Sequence, residues 1–185
     1  MELLANFVIA TGCAALVAFA AVPTHVTGTL DVLTRAEQRK EAPNFTLTDT
    51  TGQPLTLSTY KGKVVLLDFW ATWCGGCKVE IPWYVEFDRK YRGKGLAVIG
   101  VSMDDEGLKI VKPFLAQRKI EYPVGIGNDG LAKQFNLTSM PMTLLIDRDG
   151  KIALSHTGIV DKDNFESHNP DSAAIEVNPF RLIGP

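Results

Sequence analysis

Cysteine and histidine are both scarce in this chain, with three of each among 185 residues. A structural zinc site needs four ligands, and no second Cys or His pair stands at ligand spacing beside Cys74 and Cys77, so no resident metal is expected. An excess of basic residues is missing too: the formal net charge of -2 leaves no patch for nucleic acid. Charge is absent altogether from Leu3 to Val22, a stretch about long enough to span a bilayer. It lacks the basic start of a secretory signal, since Glu2 is the only early charge, yet Ala18-Phe19-Ala20 offers a small-x-small cleavage site. Length favours an uncleaved anchor and the alanine motif a cleaved signal. Either address puts the rest of the chain outside the cytosol, where disulfides persist. Cys13 falls inside this segment, so the chemistry rests on one cysteine pair.

What is present is organised around Val64 to Lys78, where a near-continuous apolar run stops at Cys74-Gly75-Gly76-Cys77. The run is too short for an ordinary helix and too continuous for a half-exposed strand, which predicts a central strand covered on both faces. From Lys78 onward Val79, Ile81, Val85, Phe87 and Tyr91 mix with charged residues in the pattern of an amphipathic helix, bent at Pro82. Cys74 then sits at the loop-to-helix junction, where unpaired N–H groups and the helix dipole favour a thiolate. Cys77 follows in the first turn on the same side, close enough for a disulfide.

With 45% hydrophobic residues the chain can bury one sizeable core. Residues 23–41 are polar without a sustained period and read as a tether; residues 42–166 form the domain and 167–185 an irregular tail. Phe45 to Thr48 and Leu55 to Leu57 suggest a hairpin ahead of the central strand. Leu96 to Val101 is a second apolar run beyond the first helix, making a right-handed parallel βαβ unit. Asp104, Asp105 and Glu106 crowd the expected start of a second helix ending near Lys119 and read as a solvated, dipole-complementing cluster. A short strand (Tyr122 to Ile126), a short helix (Leu131 to Phe135) and a hairpin (Met142 to Ile146, Ile152 to Thr157) complete the reading.

Asp68 to Lys78, then Pro82, and much later Thr138-Ser139-Met140-Pro141-Met142-Thr143 opening a strand, resemble the thioredoxin superfamily, specifically the membrane-tethered ResA/TlpA-type thiol-disulfide oxidoreductases. The resemblance covers about Ala42 to Phe165. It implies an α/β thioredoxin-like fold, a central mixed sheet flanked by helices, with an N-terminal hairpin and an inserted strand-helix element. It further implies exchange of a Cys74-Cys77 dithiol with protein substrates, apocytochrome c thiols among them, no cofactor beyond the cysteine pair, a membrane electron donor and a monomeric protein. Met140-Pro141 is implied to be a cis bond beside the disulfide, the Met140 backbone pairing with substrate; an ordinary trans proline is the alternative. Trp73, Gly75, Gly76, Met140 and Pro141 are the expected substrate contacts. Two departures stand out: Gly76 replaces the proline usual in relatives, and the closing helix begun at Asp163 is interrupted at Ser167 to Pro170.

Cys74 is the candidate nucleophile and Cys77 the resolving thiol; a purely structural disulfide is the plain alternative. A buried Cys77 needs a base before it can attack. Asp68 ends the apolar strand, where burial raises a carboxyl's pKa, and Glu80 lies three residues after Cys77 on one helix face. Against these roles stands a reading in which Asp68 satisfies a loop hydrogen bond and Glu80 is solvated. Two other functions use the same motif. A thiol peroxidase shares the Ala42-Pro43 opening, but its threonine stands three residues before the cysteine and Thr72 stands two before. A copper carrier would use both thiolates and a histidine, at a different cysteine spacing.

Overall fold

A computed structural model describes residues 33–163. The apolar N-terminal segment with Cys13, the first part of the tether and the tail, including the interrupted closing helix, lie outside the described residues.

The expected central strand is β3, Val64–Trp70, in which all seven residues are buried. Alternation sends its side chains to opposite faces. Val64, Leu66 and Trp70 join one core with Ile81, Tyr84, Phe87 and Tyr91, while Val65, Leu67 and Phe69 join a second with Leu131 and Phe135. Burial on both faces accounts for the unbroken apolar run. Asp68, with the parity of Leu66 and Trp70, therefore points into the first core. It lies within β3 and does not end it: Phe69 and Trp70 continue the strand.

Helix α1, Gly75–Tyr91, follows and continues through Pro82. It carries the chain to β4, Leu96–Ser102, which pairs parallel with β3 from Val64↔Leu96 to Trp70↔Ser102. Next come α2 (Leu108–Arg118), β5 (Val124–Ile126), α3 (Asp129–Gln134), β6 (Met142–Ile146) and β7 (Ile152–Thr157). The sheet order is β5-β4-β3-β6-β7, with β6 antiparallel to β3 and β7 antiparallel to β6. The N-terminal hairpin is β1 (Thr46–Thr48) with β2 (Pro54–Thr56), pairing Thr46↔Thr56. This is the mixed sheet flanked by helices that the resemblance implies.

Two expectations are corrected. The packed chain begins before Ala42: Thr34 N–H donates to Ala153 O at 2.8 Å, Ile152 N–H to Lys40 O at 2.8 Å and Ala42 N–H to Gly150 O at 2.9 Å. Arg39 adds a buried ion pair to Asp147 at 3.0 Å. This segment caps the open edge of β7, satisfying backbone groups that an edge strand would otherwise expose. It does so through main-chain bonds and one ion pair, neither of which leaves an apolar period to read.

The acidic cluster is not a solvated helix start. Helix α2 begins only at Leu108, and Asp104 is 3% exposed. Its carboxylate accepts from Thr72 N at 2.9 Å, Thr72 Oγ1 at 2.7 Å and Ser102 Oγ at 2.8 Å, tying the end of β4 to the loop that leads to Cys74. Asp105 and Glu106 remain exposed. Removing a buried acceptor strands its donors, so Asp104→Ala should cost about 2–3 kcal/mol. Asp105→Ala should stay within about 0.5 kcal/mol. Urea unfolding of the two variants in the same redox state checks the difference.

Candidate active site

Strand β3 delivers the chain to the site, and a tight turn delivers it to the helix. Cys74 N–H donates to Ala71 O at 3.1 Å, and Cys74 takes the N-cap position of α1 with extended backbone angles. Its sulfur accepts from Cys77 N–H at 3.1 Å, the role a Ser or Asp side chain fills at an ordinary N-cap. Cys74 and Cys77 are joined in a disulfide with Cα atoms 5.3 Å apart. Cys74 is 5% and Cys77 1% exposed, so both are buried in the disulfide form, Cys74 slightly less so. An N–H aimed at sulfur and the positive helix end both stabilise a thiolate on Cys74 once the bond is reduced.

The other sequence-nominated residues converge on this corner. Trp73 is 65% exposed beside Cys74. The Met140-Pro141 bond is cis. Pro141 is buried against the glycine turn: a Cβ on Gly76 would stand 3.0 Å from Pro141 Cδ. Met140 packs against the core that contains both cysteines.

Both candidate bases are buried. Glu80 has no exposed surface; its Oε1 accepts from Val160 N–H at 2.6 Å, and Oε2 has no hydrogen-bond partner among the described residues. Burial pushes its carboxyl up to about 7, an effect moderated by the Val160 N–H and by His156. Asp68 is 1% exposed with neither oxygen hydrogen-bonded among the described residues, so the loop hydrogen bond considered above is not made. Burial first, and the charge of Glu80 second, hold it well above the usual carboxylate range. The solvated reading of Glu80 likewise fails.

Sequence reasoning missed four members of this network. Thr143 lies opposite Asp68 across β3/β6 and opposite His156 across β6/β7, giving a polar row through an apolar sheet. Its hydroxyl shares a hydrogen bond with Tyr84 Oη at 2.8 Å. The Tyr84 and Tyr122 phenols are pushed well above their usual range by burial and the neighbouring carboxyls, so both stay protonated. Val160 contributes only its backbone, which no residue-type pattern reveals. A cavity lined by Tyr60, Lys61, Val65 and Ile146 lies at the opposite end of β3 from the disulfide and takes no part.

Comparison with known proteins agrees with this geometry. Residues 39–155 match the AhpC/TSA family. The thiol-disulfide oxidoreductase ResA of Bacillus thuringiensis is 37% identical over 135 residues, covering 72% of this chain and 78% of that protein. The chain belongs to the AhpC/TSA family, as a ResA-type thiol-disulfide oxidoreductase. Among solved structures, a Chlorobium tepidum protein assigned as the thiol:disulfide interchange protein DsbE is 38% identical with TM-score 0.63, over 68% of this chain and 89% of that one. A second C. tepidum interchange protein of the thioredoxin family is 29% identical with TM-score 0.64, over 70% and 92%. Like this oxidoreductase, both carry the thioredoxin-like arrangement of sheet and helices.

The raised carboxyl of Glu80 fixes a sign for stability. Between its ordinary value of 4.5 and about 7 the folded protein holds a proton that the unfolded chain has released. Stability contributed by this group is complete below 4.5 and is lost as pH rises through about 7. The loss is on the order of 3 kcal/mol. Asp68 acts in the same direction. Denaturant unfolding of the disulfide form at pH 5 and pH 8 should show the decline, and Glu80→Gln should flatten it; an unchanged slope would mean Glu80 does not ionise there.

Proposed function

We propose that this oxidoreductase reduces disulfides of proteins outside the cytosol as a monomer tethered by its N-terminal segment, drawing electrons from a membrane donor. Apocytochrome c thiols are the substrate class that the ResA resemblance implies. The observation that supports this reading is the pair of buried carboxyls, Glu80 three residues after Cys77 in α1 and Asp68 within β3, because reduction of substrate requires the buried Cys77 thiol to give up a proton.

The Cys74 thiolate attacks one sulfur of the substrate disulfide; a Cys74–substrate bond forms, the substrate S–S bond breaks, and the leaving thiolate is protonated. Glu80, ionised, accepts the Cys77 proton, with Asp68 as the second buried acceptor. The Cys77 thiolate then attacks Cys74 Sγ, closing the Cys74–Cys77 disulfide and releasing the second substrate thiolate. Two electrons pass to the substrate, and the donor restores the dithiol. Glu80 titrating at about 7 suits this duty, since a base poised near ambient pH both takes and returns a proton.

Trapping tests the nucleophile. Cys77→Ser should accumulate substrate as a mixed disulfide on Cys74, whereas Cys74→Ser should accumulate none; the reverse pattern rejects the assignment.

Stopped-flow reduction tests the bases. The unsubstituted protein should quicken as pH passes about 7, where Glu80 becomes the carboxylate. Asp68→Asn and Glu80→Gln should each slow reduction at neutral pH by about tenfold, the double change more. A double variant keeping the original rate and pH profile would show that neither residue is the base.

A further inference from the structure

Of the two glycines between the cysteines, Gly76 is the one whose side-chain space is taken. A Cβ there would lie 3.1 Å from Ile159 Cγ1 and 3.5 Å from Ile159 Cδ1, besides its 3.0 Å approach to Pro141 Cδ. A side chain at position 76 therefore requires these neighbours to give by a few tenths of an ångström. Pro141 is buried; Ile159 is 50% exposed. The side chain free to yield is that of Ile159.

The backbone on either side of Ile159 is held. Gly158 N–H donates to Pro141 O at 2.9 Å, with Gly158 at φ +101, a left-handed angle suited to glycine. Val160 N–H donates to Glu80 Oε1 at 2.6 Å, and His156 Nε2 bonds Ile159 O at 3.2 Å. These bonds set the inner half of Ile159 on the glycine turn and leave its outer half in water.

We infer that Ile159 is a specificity-determining residue of the exchange site. It packs directly against position 76 and, with the exposed Trp73, gives the disulfide an apolar rim suited to an extended protein segment with an apolar residue beside its reacting cysteine. The inference rests on exchange at Cys74 being the reaction. A segment reaching Cys74, itself 5% exposed, must lay its flanking residues on the surfaces around that sulfur. An apolar flank gains from burial there, whereas a charged flank loses water without an offsetting hydrogen bond.

The test measures kcat/KM for two disulfide-linked peptide dimers, one with leucine flanking each cysteine and one with glutamate. Oxidation of the protein by a small disulfide, which touches no rim, serves as the control. The unsubstituted protein should prefer the leucine peptide. Ile159→Ala should lose roughly fivefold on that peptide, with the glutamate peptide and the small disulfide little changed. Ile159→Val should restore most of the loss. Gly76→Ala should also weaken the leucine peptide by pushing Ile159 aside, and should add little in the Ile159→Ala background. Equal losses on both peptides, or additive effects of the two substitutions, overturn the inference. Turnover of both peptides without discrimination rejects the rim and leaves exchange at Cys74 intact, whereas turnover of neither rejects the exchange reading on which the rim rests.

Discussion

The hydrogen bond from Val160 N–H to Glu80 Oε1 at 2.6 Å joins the parts of this site that must act together. Glu80 has no exposed surface, and burial raises its carboxyl above the ordinary range. The Val160 N–H first, then His156 and the Tyr84 hydroxyl, offset part of that cost, and the balance leaves the carboxyl at about 7. The donor belongs to the loop after β7, so the residue that bonds Glu80 also holds the backbone next to Ile159 on the glycine turn. Glu80 and Ile159 are thus held by one short piece of backbone.

That loop works because the sheet puts everything reactive at one end. Strand β3 is covered on both faces and has nothing to offer solvent along its length, so the reacting sulfur must come after it, at the start of α1. The cis Met140-Pro141 bond opens β6, which is antiparallel to β3 and starts at the same end. The exit of β7 returns there as well, since β7 is antiparallel to β6. Asp104 holds the remaining side, drawing Thr72 onto the end of β4. Three loops far apart in the sequence therefore meet around Cys74 as a consequence of strand direction.

Strand direction also explains which parts of the molecule were legible in advance. β3, α1 and β4 show in the sequence because each buries side chains at its own period, and the cysteine pair shows because its residue types and spacing carry the chemistry. Asp104 was misread because its partner Thr72 lies 32 residues away, and a carboxylate paired at long range looks the same in sequence as one in water. The segment that caps β7 was misread for a related reason, since main-chain hydrogen bonds are indifferent to side-chain type. Asp68 and Glu80 could be nominated from their places on the strand and the helix. Their partner Val160 could not, because it enters only through its amide.

The AhpC/TSA family spans more than one use of a reactive cysteine, and the surroundings of Cys74 distinguish among them. A peroxidatic cysteine is served by a nearby threonine hydroxyl, but Thr72 Oγ1 donates to Asp104 at 2.7 Å and its N–H is bound to the same carboxylate. Thr72 is thereby committed to holding the loop. A peroxide is also small and needs no landing surface, whereas Trp73 at 65% and Ile159 at 50% exposure place large apolar side chains beside the glycine turn. Such side chains beside the turn suit contact with a macromolecule better than with a small peroxide. Cys77 then completes the argument. One helical turn from Cys74 in the same buried cluster and joined to it in the disulfide, it is placed to displace a thiol that Cys74 has captured, which is the work of a two-cysteine exchange site rather than of a lone peroxidatic cysteine.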